Sequence, residues 1–322
     1  MRQRLFLATV LLSAAALLPL SSFAASAQSA RAIKLINPYP PGGGADVLAR
    51  VLVNEIGNLG GPTLVVENRP GAGTVIGTQD AVRAAPDGNT LLITNNALLL
   101  APHLRKLEFD PLTDLVPICS VGATPTVVIV NSASPYHSLG ELIAAGRQKA
   151  GGLTFGAGIG ALSQVTYAML MHRADFKMTL VPFTGTLPEV EAVYGAHIDT
   201  AFVDYPPAQG LLQAGKLRAL ATGSRTRTEW LPNVPTVSEL GYPGFEIDLW
   251  YGVFAPAHTP PSFVAQMAGW LTKAAQVPKV KALLRSQGIA TTGVCGAPFA
   301  ADLRKRFDEY GQVIRDAHIK AE

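Results

Sequence analysis

Short apolar runs alternate with stretches of helical periodicity along most of the chain. In the first third, β-branched and aliphatic runs predict strands over 33–36, 63–67 and 90–94. Apolar residues at helical spacing predict helices from Val47 onward and over 75–84. This alternation indicates an α/β fold, in which a mostly parallel sheet is covered by helices on both faces. Ligands of such sheets bind beyond the carboxyl ends of the strands.

The same alternation continues through the rest of the chain. The further predicted strands are 126–130, 153–155, 177–181, 198–202, 217–221 and 250–254. The further predicted helices are 138–149, one from Ser163, one with Pro188 in its first turn, one ending at Ala214, and 261–276, 278–287 and 298–318. Ser138 and Thr259 are the expected N-caps of two of these helices. Three helices with no further strand are therefore expected to end the chain.

The order of these elements predicts two lobes. The strand at 250–254 and the helices after it need a sheet to cover, and the first series of strands supplies one. We therefore expect residues 28–125 and 250–322 to form lobe 1, and residues 126–249 to form lobe 2.

The first 27 residues are typical of a secretory leader. Arg2 and Arg4 precede an apolar run over 5–20, and Ala25-Ser26-Ala27 fits a cleavage site. The alternative is a membrane anchor, but the apolar run is short for a spanning helix. We expect cleavage after Ala27 and a periplasmic protein.

Removal of the leader changes the charge balance. The full chain has 26 Lys and Arg against 23 Asp and Glu, and loss of two arginines leaves a net charge of +1. No long basic run is present, so nucleic acid is not an expected partner.

The chain contains two cysteines, Cys119 and Cys295. Export allows a disulfide, but their distance in sequence leaves both one bridge and two independent thiols open. Neither cysteine belongs to a Cys/His cluster with metal-ligand spacing, so no metal site is expected.

Three loops rich in glycine or threonine follow predicted strands and each leads into a helix. They are centred on Gly43, Gly158 and Gly185, and none contains Lys or Arg. Backbone N–H groups and hydroxyls at helix N-termini suit a small anion such as a carboxylate. A purely structural turn is the alternative for each loop taken alone. Asp46 has two interpretations, a cap of the helix that begins there or a contact to an amine of the ligand.

Motifs for cofactor-dependent and hydrolytic enzymes fail on spacing. Gly42, Gly44 and Glu67 imitate a dinucleotide-binding motif, but Val47 stands where a small residue is needed. The segment 210–216 resembles a phosphate-binding loop, but Leu217 replaces the required Ser or Thr. We therefore expect no cofactor and no catalytic residues.

Several motifs together resemble one family. They are PPGGGAD at 40–46, VVENRPGAG at 65–73, APDGNTLL at 85–92, FDPLTDL at 109–115, GKLRALA at 215–221, LPNVPTV at 231–237 and WYG at 250–252. In combination they resemble the Bug family, the extracytoplasmic solute receptors of tripartite tricarboxylate transporters. The resemblance covers essentially the whole chain after the leader. The chain departs from the family pattern at Tyr39, where Phe is usual, and over 201–207.

The resemblance implies a non-catalytic receptor with a two-lobed, periplasmic-binding-protein-like (Venus flytrap, type II-like) fold. A carboxylate would lie between the lobes, held mainly by backbone groups of the strand-exit loops. The residues carried over as ligand-binding are Tyr39, Gly43, Gly44, Ala45, Asp46, Asn95, Asn96, Ala97, Gly158, Ile159, Gly160, Ser163, Thr184, Gly185, Thr186 and Asp204. The expected partners are a small organic acid and the membrane permease subunits of such a transporter, and we expect a monomer. The alternative from another class is a secreted α/β enzyme acting on a small organic acid.

Overall fold

The computed structural model describes residues 32–320. In chain order, its elements are β1 (Ile33–Asn37), α1 (Gly44–Asn58), β2 (Leu64–Asn68), a short 3-10 helix (Ala72–Thr74), α2 (Val75–Val82), β3 (Thr90–Asn95), α3 (Ala97–Leu104), β4 (Leu115–Thr124), β5 (Thr126–Asn131), α4 (Leu139–Gln148), β6 (Thr154–Gly158), α5 (Leu162–Ala174), β7 (Thr179–Phe183), α6 (Thr186–Tyr194), β8 (Thr200–Asp204), α7 (Tyr205–Gln213), β9 (Leu217–Thr222), β10 (Leu249–Pro256), α8 (Pro261–Gln276), α9 (Pro278–Ser286), β11 (Ala290–Cys295) and α10 (Ala297–Asp316). The predicted leader and its cleavage site lie outside the described residues.

The described strands form two sheets. One has the order β11-β4-β10-β3-β1-β2, and the other has the order β7-β6-β8-β5-β9. Helices pack against both sheets, so the predicted α/β class is confirmed. Four of the six strands in the first sheet and four of the five in the second run in one direction, as predicted, but each sheet also contains strands of the opposite direction. The pairs β1–β2, β1–β3, β6–β7 and β6–β8 are parallel, whereas β10 and β11 in the first sheet and β5 in the second run antiparallel to their neighbours.

The antiparallel strands follow from how the chain passes between the sheets. Strand β4 leads into β5 through Pro125 alone, and β10 returns to the first sheet between β3 and β4. Neither passage contains a crossover helix of the kind that parallel strands require. The two passages touch, because the Thr126 hydroxyl donates to the Ile247 carbonyl at 2.5 Å. The chain from residue 32 onward forms one compact unit, and the predicted lobe boundaries stay a prediction.

Helix α1 follows the glycine-rich turn after β1. Gly42 has a φ of +86°, in the left-handed region that favours glycine. The helix buries Leu48, Leu52 and Ile56 at a spacing of four residues, each at most 1% exposed. Burial of such a side chain contributes about 1.5–3 kcal/mol. Packing on the sheet therefore fixes the start of the helix and the position of the turn.

Three elements were not predicted from the sequence, namely α3, β4 and β11. Strand β11 is a sheet edge that is partly exposed and contains Gly293, so its apolar signal is weak. Cys295 ends this strand rather than lying in a loop, and it forms a disulfide with Cys119 of the adjacent β4. The open question about the cysteines is therefore answered by the pairing of two unpredicted strands.

The two predicted helix caps have different outcomes. The Ser138 side chain accepts from the Glu141 N–H at 3.2 Å, so its role as N-cap of α4 is confirmed. The expectation for Thr259 is wrong, because its hydroxyl donates to the Pro256 carbonyl while Pro260 occupies the N-cap position of α8. Among residues 32–320, no helix combines the length and the apolar character that crossing a membrane requires.

Candidate ligand-binding site

A cavity of about 270 Å³ lies where strands of both sheets end and their exit loops meet. It contains eight of the predicted site residues, namely Asn95, Asn96, Ala97, Gly160, Ser163, Gly185, Thr186 and Asp204. Its other lining residues are Leu100, Thr126, Ala161, Leu162, Thr166, Glu189, Phe202 and Leu249. The cavity is therefore bounded by segments that follow β3, β6, β7 and β8, as expected for ligand sites of such sheets.

A wider groove of about 970 Å³ adjoins the cavity, since Ala161 and Gly185 line both. Three further predicted residues, Gly158, Ile159 and Thr184, line this groove. Arg105, which the sequence did not bring into the site, also lines it. The Arg105 guanidinium donates to the Ala72 carbonyl at 3.1 Å. The groove therefore carries a cation close to loops that contain no basic residue of their own.

Three helices start at the cavity. Ala97 begins α3, Leu162 begins α5 and Thr186 begins α6, and all three residues line the cavity. The N-terminus of a helix carries a partial positive charge of about half an elementary charge. Such ends attract anions. The local chemistry of this wall therefore suits a carboxylate, as the loop pattern predicted.

Some of the predicted N–H donors are already engaged within the protein. The Gly158 N–H donates to the Ser163 hydroxyl at 3.2 Å, and the Gly160 N–H donates to Gln164 Oε1 at 2.7 Å. These bonds fix the shape of the loop between β6 and α5. The two N–H groups therefore hold the loop instead of facing a ligand.

The glycine-rich turn after β1 does not line the cavity. Gly43, Gly44, Ala45 and Asp46 are absent from its lining, and so is Tyr39. The Tyr39 hydroxyl donates to Asn95 Oδ1 at 2.5 Å, and burial raises the pKa of this phenol well above its usual value. Tyr39 therefore acts on the cavity through Asn95, which does line it.

Asp46 is enclosed by partners of its own. Its carboxylate accepts from the Gly42 N–H at 3.0 Å, from Arg50 Nε at 2.9 Å and from Asn68 Nδ2 at 2.9 Å. Burial favours a higher pKa, but the hydrogen bonds and the Arg50 charge outweigh it and lower the pKa of Asp46 to about 2. Gly43 is the N-cap of α1, so Asp46 stabilises the turn from the first turn of the helix. This geometry favours the structural interpretation of Asp46 over a ligand contact.

The side chain of Asn96 likewise forms its hydrogen bonds within the protein. The residue is fully buried, and its Nδ2 donates to the Tyr310 hydroxyl at 2.8 Å and to the Asp248 carbonyl at 3.1 Å. Its Oδ1 accepts from the Trp250 N–H at 3.1 Å. Asn96 therefore joins the cavity wall to β10 and α10, and it positions the loop after β3.

Glu189 is the main residue that the sequence reasoning missed. It lies in the first turn of α6, is 1% exposed and lines the cavity. Its Oε1 accepts from the Ser163 hydroxyl at 3.2 Å, whereas its Oε2 is buried with no hydrogen-bond partner. Burial raises the pKa of Glu189 to about 7, opposed by Ser163 and assisted by the negative charge of Asp204.

The sequence contained one signal for this position. Thr186 and Glu189 have the spacing of a capping box, in which the two side chains bond to the backbone at the helix start. In the structure, the side chains of Thr186 and Glu189 bond to other side chains instead. Thr186 Oγ1 donates to Asp204 Oδ1 at 2.9 Å, and Glu189 is turned to Ser163 of the neighbouring helix. Burial also raises the pKa of Asp204, which is half-buried at the end of β8.

The lining of the cavity contains no histidine, cysteine, lysine or arginine among the residues described. Within residues 32–320, no group of three or more His, Cys, Asp and Glu side chains is placed to hold a metal ion. The cavity thus offers helix ends, hydroxyls, apolar side chains and two carboxyl groups.

A family model for the tripartite tricarboxylate transporter family receptor matches residues 48–310. The chain belongs to this receptor family. The family resemblance drawn from the sequence motifs is therefore confirmed. Two sheets flanked by helices are in agreement with membership of this receptor family.

Individual members of the receptor family are similar over nearly the whole chain. Protein BugT of Bordetella pertussis is 34% identical over 300 residues, which cover 90% of each chain. A solved periplasmic transporter is 32% identical, with a TM-score of 0.76 over 90% of this chain and 98% of its own. MatC of Rhodopseudomonas palustris, solved with bound malate, is 27% identical, with a TM-score of 0.74 over 88% of this chain and 99% of its own.

Proposed function

We propose that this protein is a periplasmic solute receptor that binds a small carboxylate-bearing compound in the cavity between its two sheets. The bound compound would be passed to the membrane permease subunits of a tripartite tricarboxylate transporter, or reported to a sensor. The protein binds and releases its ligand without chemical change.

The observation that carries this proposal is the meeting of three helix N-termini, those of α3, α5 and α6, at one cavity. Their partial positive charges act together on a bound anion at the protein surface, where electrostatic attraction is stronger than in bulk solvent. The malate bound to MatC, a relative of the same fold, is a small carboxylate of the kind proposed.

A periplasmic location is supported by three independent features. The first 27 residues are typical of a secretory leader. The disulfide between Cys119 and Cys295 is stable in an oxidising compartment. A relative of 32% identity is a periplasmic transporter.

Native mass spectrometry of the protein purified from periplasmic extract is the first test, because a receptor retains its ligand during gentle purification. We expect one bound small acid per chain. The variant Gly185→Leu should lose it, because Gly185 lines the cavity and a Cβ added there meets no heavy atom within 4 Å, so the larger side chain can extend into open space.

The matched control is Gly210→Leu. Gly210 is an exposed glycine of α7, and a Cβ added to it also meets nothing within 4 Å, but it does not line the cavity. Equal retention of the acid by wild type, Gly185→Leu and Gly210→Leu would contradict the proposed location of the site.

A further inference from the structure

We propose that Glu189 and Asp204 form an ammonium subsite, so that the ligand carries a protonated nitrogen as well as a carboxylate, as amino acids do. This inference rests on the proposed function and narrows the class of compound that the receptor takes. It follows from the chemistry of the described residues that line the cavity.

The first observation is the unpaired oxygen of Glu189. The residue lines the cavity and is 1% exposed, and its Oε2 has no hydrogen-bond partner. A buried carboxyl oxygen without a partner is costly, and more so when the group is ionised. A ligand with an N–H donor at this point would remove that cost.

The second observation is a second acid in the same wall. Asp204 also lines the cavity, and its Oδ1 accepts only the Thr186 hydroxyl among the hydrogen bonds identified. The two carboxyl groups are close enough for the charge of Asp204 to raise the pKa of Glu189. No lysine or arginine is among the described lining residues, so no cationic side chain within this lining neutralises the pair.

The cavity therefore has two poles. The N-terminus of α3 supplies a positive pole, whereas Glu189 and Asp204, which accept from Ser163 at the start of α5 and from Thr186 at the start of α6, supply a negative one. A dicarboxylate would satisfy the positive pole but would place further negative charge beside the two acids. An ammonium group with a carboxylate on the same molecule matches both poles.

One competing explanation uses the same residues. A protonated Glu189 could donate a hydrogen bond to a ligand carboxylate, since burial raises the pKa of this group to about 7. The two explanations differ in the sign of the pH dependence. Binding of an ammonium group strengthens as pH rises through 7 and Glu189 ionises, whereas donation by a protonated Glu189 strengthens as pH falls. Asp204 and the Ser163 hydroxyl face Glu189, and because burial also raises the pKa of Asp204, the pH dependence is measured in Asp204→Asn as well as in wild type.

The experiment is calorimetry with matched pairs of acids that differ by one ammonium group. The pairs are succinate with L-aspartate, glutarate with L-glutamate, adipate with L-2-aminoadipate, and 3-phenylpropionate with L-phenylalanine. Within the pair of acids that the protein binds, we expect the acid with the ammonium group to bind at least about tenfold more tightly than its counterpart at pH 8. A charge-assisted hydrogen bond allows a difference of this size. The affinity of the acid with the ammonium group should fall when the pH is lowered to 6.

Two variants of the subsite and one control variant locate the effect. Glu189→Gln keeps the shape of the side chain and should abolish most of the preference for the acid with the ammonium group. Glu191→Gln, two residues along the same helix and exposed, should retain it. Asp204→Asn is the second test of the subsite, and it should reduce the preference in the same direction.

Each outcome is decisive. Tighter binding of the acid that lacks the ammonium group, with the same order of affinities in Glu189→Gln, would overturn the ammonium subsite. It would leave the proposed carboxylate receptor unaffected. Binding that strengthens toward pH 6 would assign Glu189 as a hydrogen-bond donor and would also overturn it. Absence of binding by every acid in both series, together with no acid retained in native mass spectrometry, would overturn the proposed function itself.

Discussion

Asp46 and Glu189 are both carboxyl groups in the first turn of a helix that follows a strand, yet the protein treats them in opposite ways. Asp46 accepts hydrogen bonds from Gly42, Arg50 and Asn68, and its pKa falls to about 2. Glu189 Oε1 accepts from the Ser163 hydroxyl, its Oε2 has no hydrogen-bond partner, and burial raises its pKa to about 7.

The difference separates a structural turn from a binding turn. At the turn after β1, both carboxylate oxygens of Asp46 are hydrogen-bonded within the protein, so the turn needs no ligand to satisfy them. At the turn after β7, Glu189 is buried beside a second acid, and its Oε2 has no hydrogen-bond partner in the protein. Buried carboxyl groups with a raised pKa and an unpaired oxygen, such as Glu189, are typical of functional sites, because a bound ligand can supply the missing hydrogen-bond donor.

The largest expected effect concerns pH. The folded-state pKa of Glu189 lies above its unfolded value, so its contribution to stability is present below about pH 4.5 and is lost as pH rises to about 7. A shift of this size corresponds to about 3 kcal/mol. In urea unfolding, the stability of wild type relative to Glu189→Gln should fall by about this amount between pH 4.5 and 8.

Glu191→Gln, at an exposed position of the same helix, is the control variant for this profile. If the difference in the free energy of unfolding between wild type and Glu189→Gln does not change with pH, ionisation of Glu189 does not destabilise the folded protein. The contrast with Asp46 would then be lost.

The next effect is at Asp46. Asp46→Ala removes a buried acceptor from three donors and should lower the free energy of unfolding by about 2 kcal/mol at pH 7. Because Arg50 is about half exposed, its charge contributes only part of this. The wild-type contribution is present above about pH 4 and is lost as pH falls toward about 2, the reverse of Glu189. Asp80→Ala, at an exposed position of α2, is the matched control and should change stability little.

A smaller effect tests whether the first turn is held by packing. A Cβ added to Gly44 would lie 2.5 Å from the Tyr251 hydroxyl oxygen, and Tyr251 is buried. Gly44→Ala should therefore destabilise the protein by about 1–2 kcal/mol. Gly57→Ala in the same helix meets no atom within 4 Å and should be neutral or stabilising by up to about 1 kcal/mol. Equal stability of the two variants would argue against tight packing at Gly44.

The smallest effect on stability is expected at the binding turn. Gly185 has an extended backbone with φ of 164°, and an added Cβ meets no atom within 4 Å. Gly185→Ala should change the free energy of unfolding by less than about 0.5 kcal/mol. Since the methyl group lies at the cavity, the affinity for the bound acid should change instead. A large loss of stability without a change in affinity would place Gly185 with the structural turns.

The sequence allowed the periodic elements to be predicted, but not the direction of every strand. Strands such as β1 and β3 carry their own apolar signal and were found within one residue of their ends. Strands β4 and β11 depend on partners far along the chain, and β11 is an exposed edge. The mixed sheets follow from the passages at Pro125 and before β10, which no local pattern encodes.

The site divides in the same way. Strand-exit loops could be predicted from glycines, threonines and the resemblance, and eight of the sixteen residues line one cavity. The role of Glu189 depends on Ser163, which is 26 residues away on another helix, and on Asp204 at the end of another strand. Such partners are fixed by tertiary packing, so the spacing of Thr186 and Glu189 alone indicated a helix cap.

The Glu189 carboxyl group lies in the ligand cavity with no cationic side chain among the described lining residues. The most direct test is a ¹³C NMR titration of the side-chain carboxyl groups in protein labelled at glutamate, with no ligand present. The Glu189 signal is assigned by its loss in Glu189→Gln. We expect this signal to titrate with a midpoint near pH 7. A midpoint near 4.5, the ordinary value for glutamate, would mean that the carboxylate is solvated or paired in the free protein, and would contradict the account.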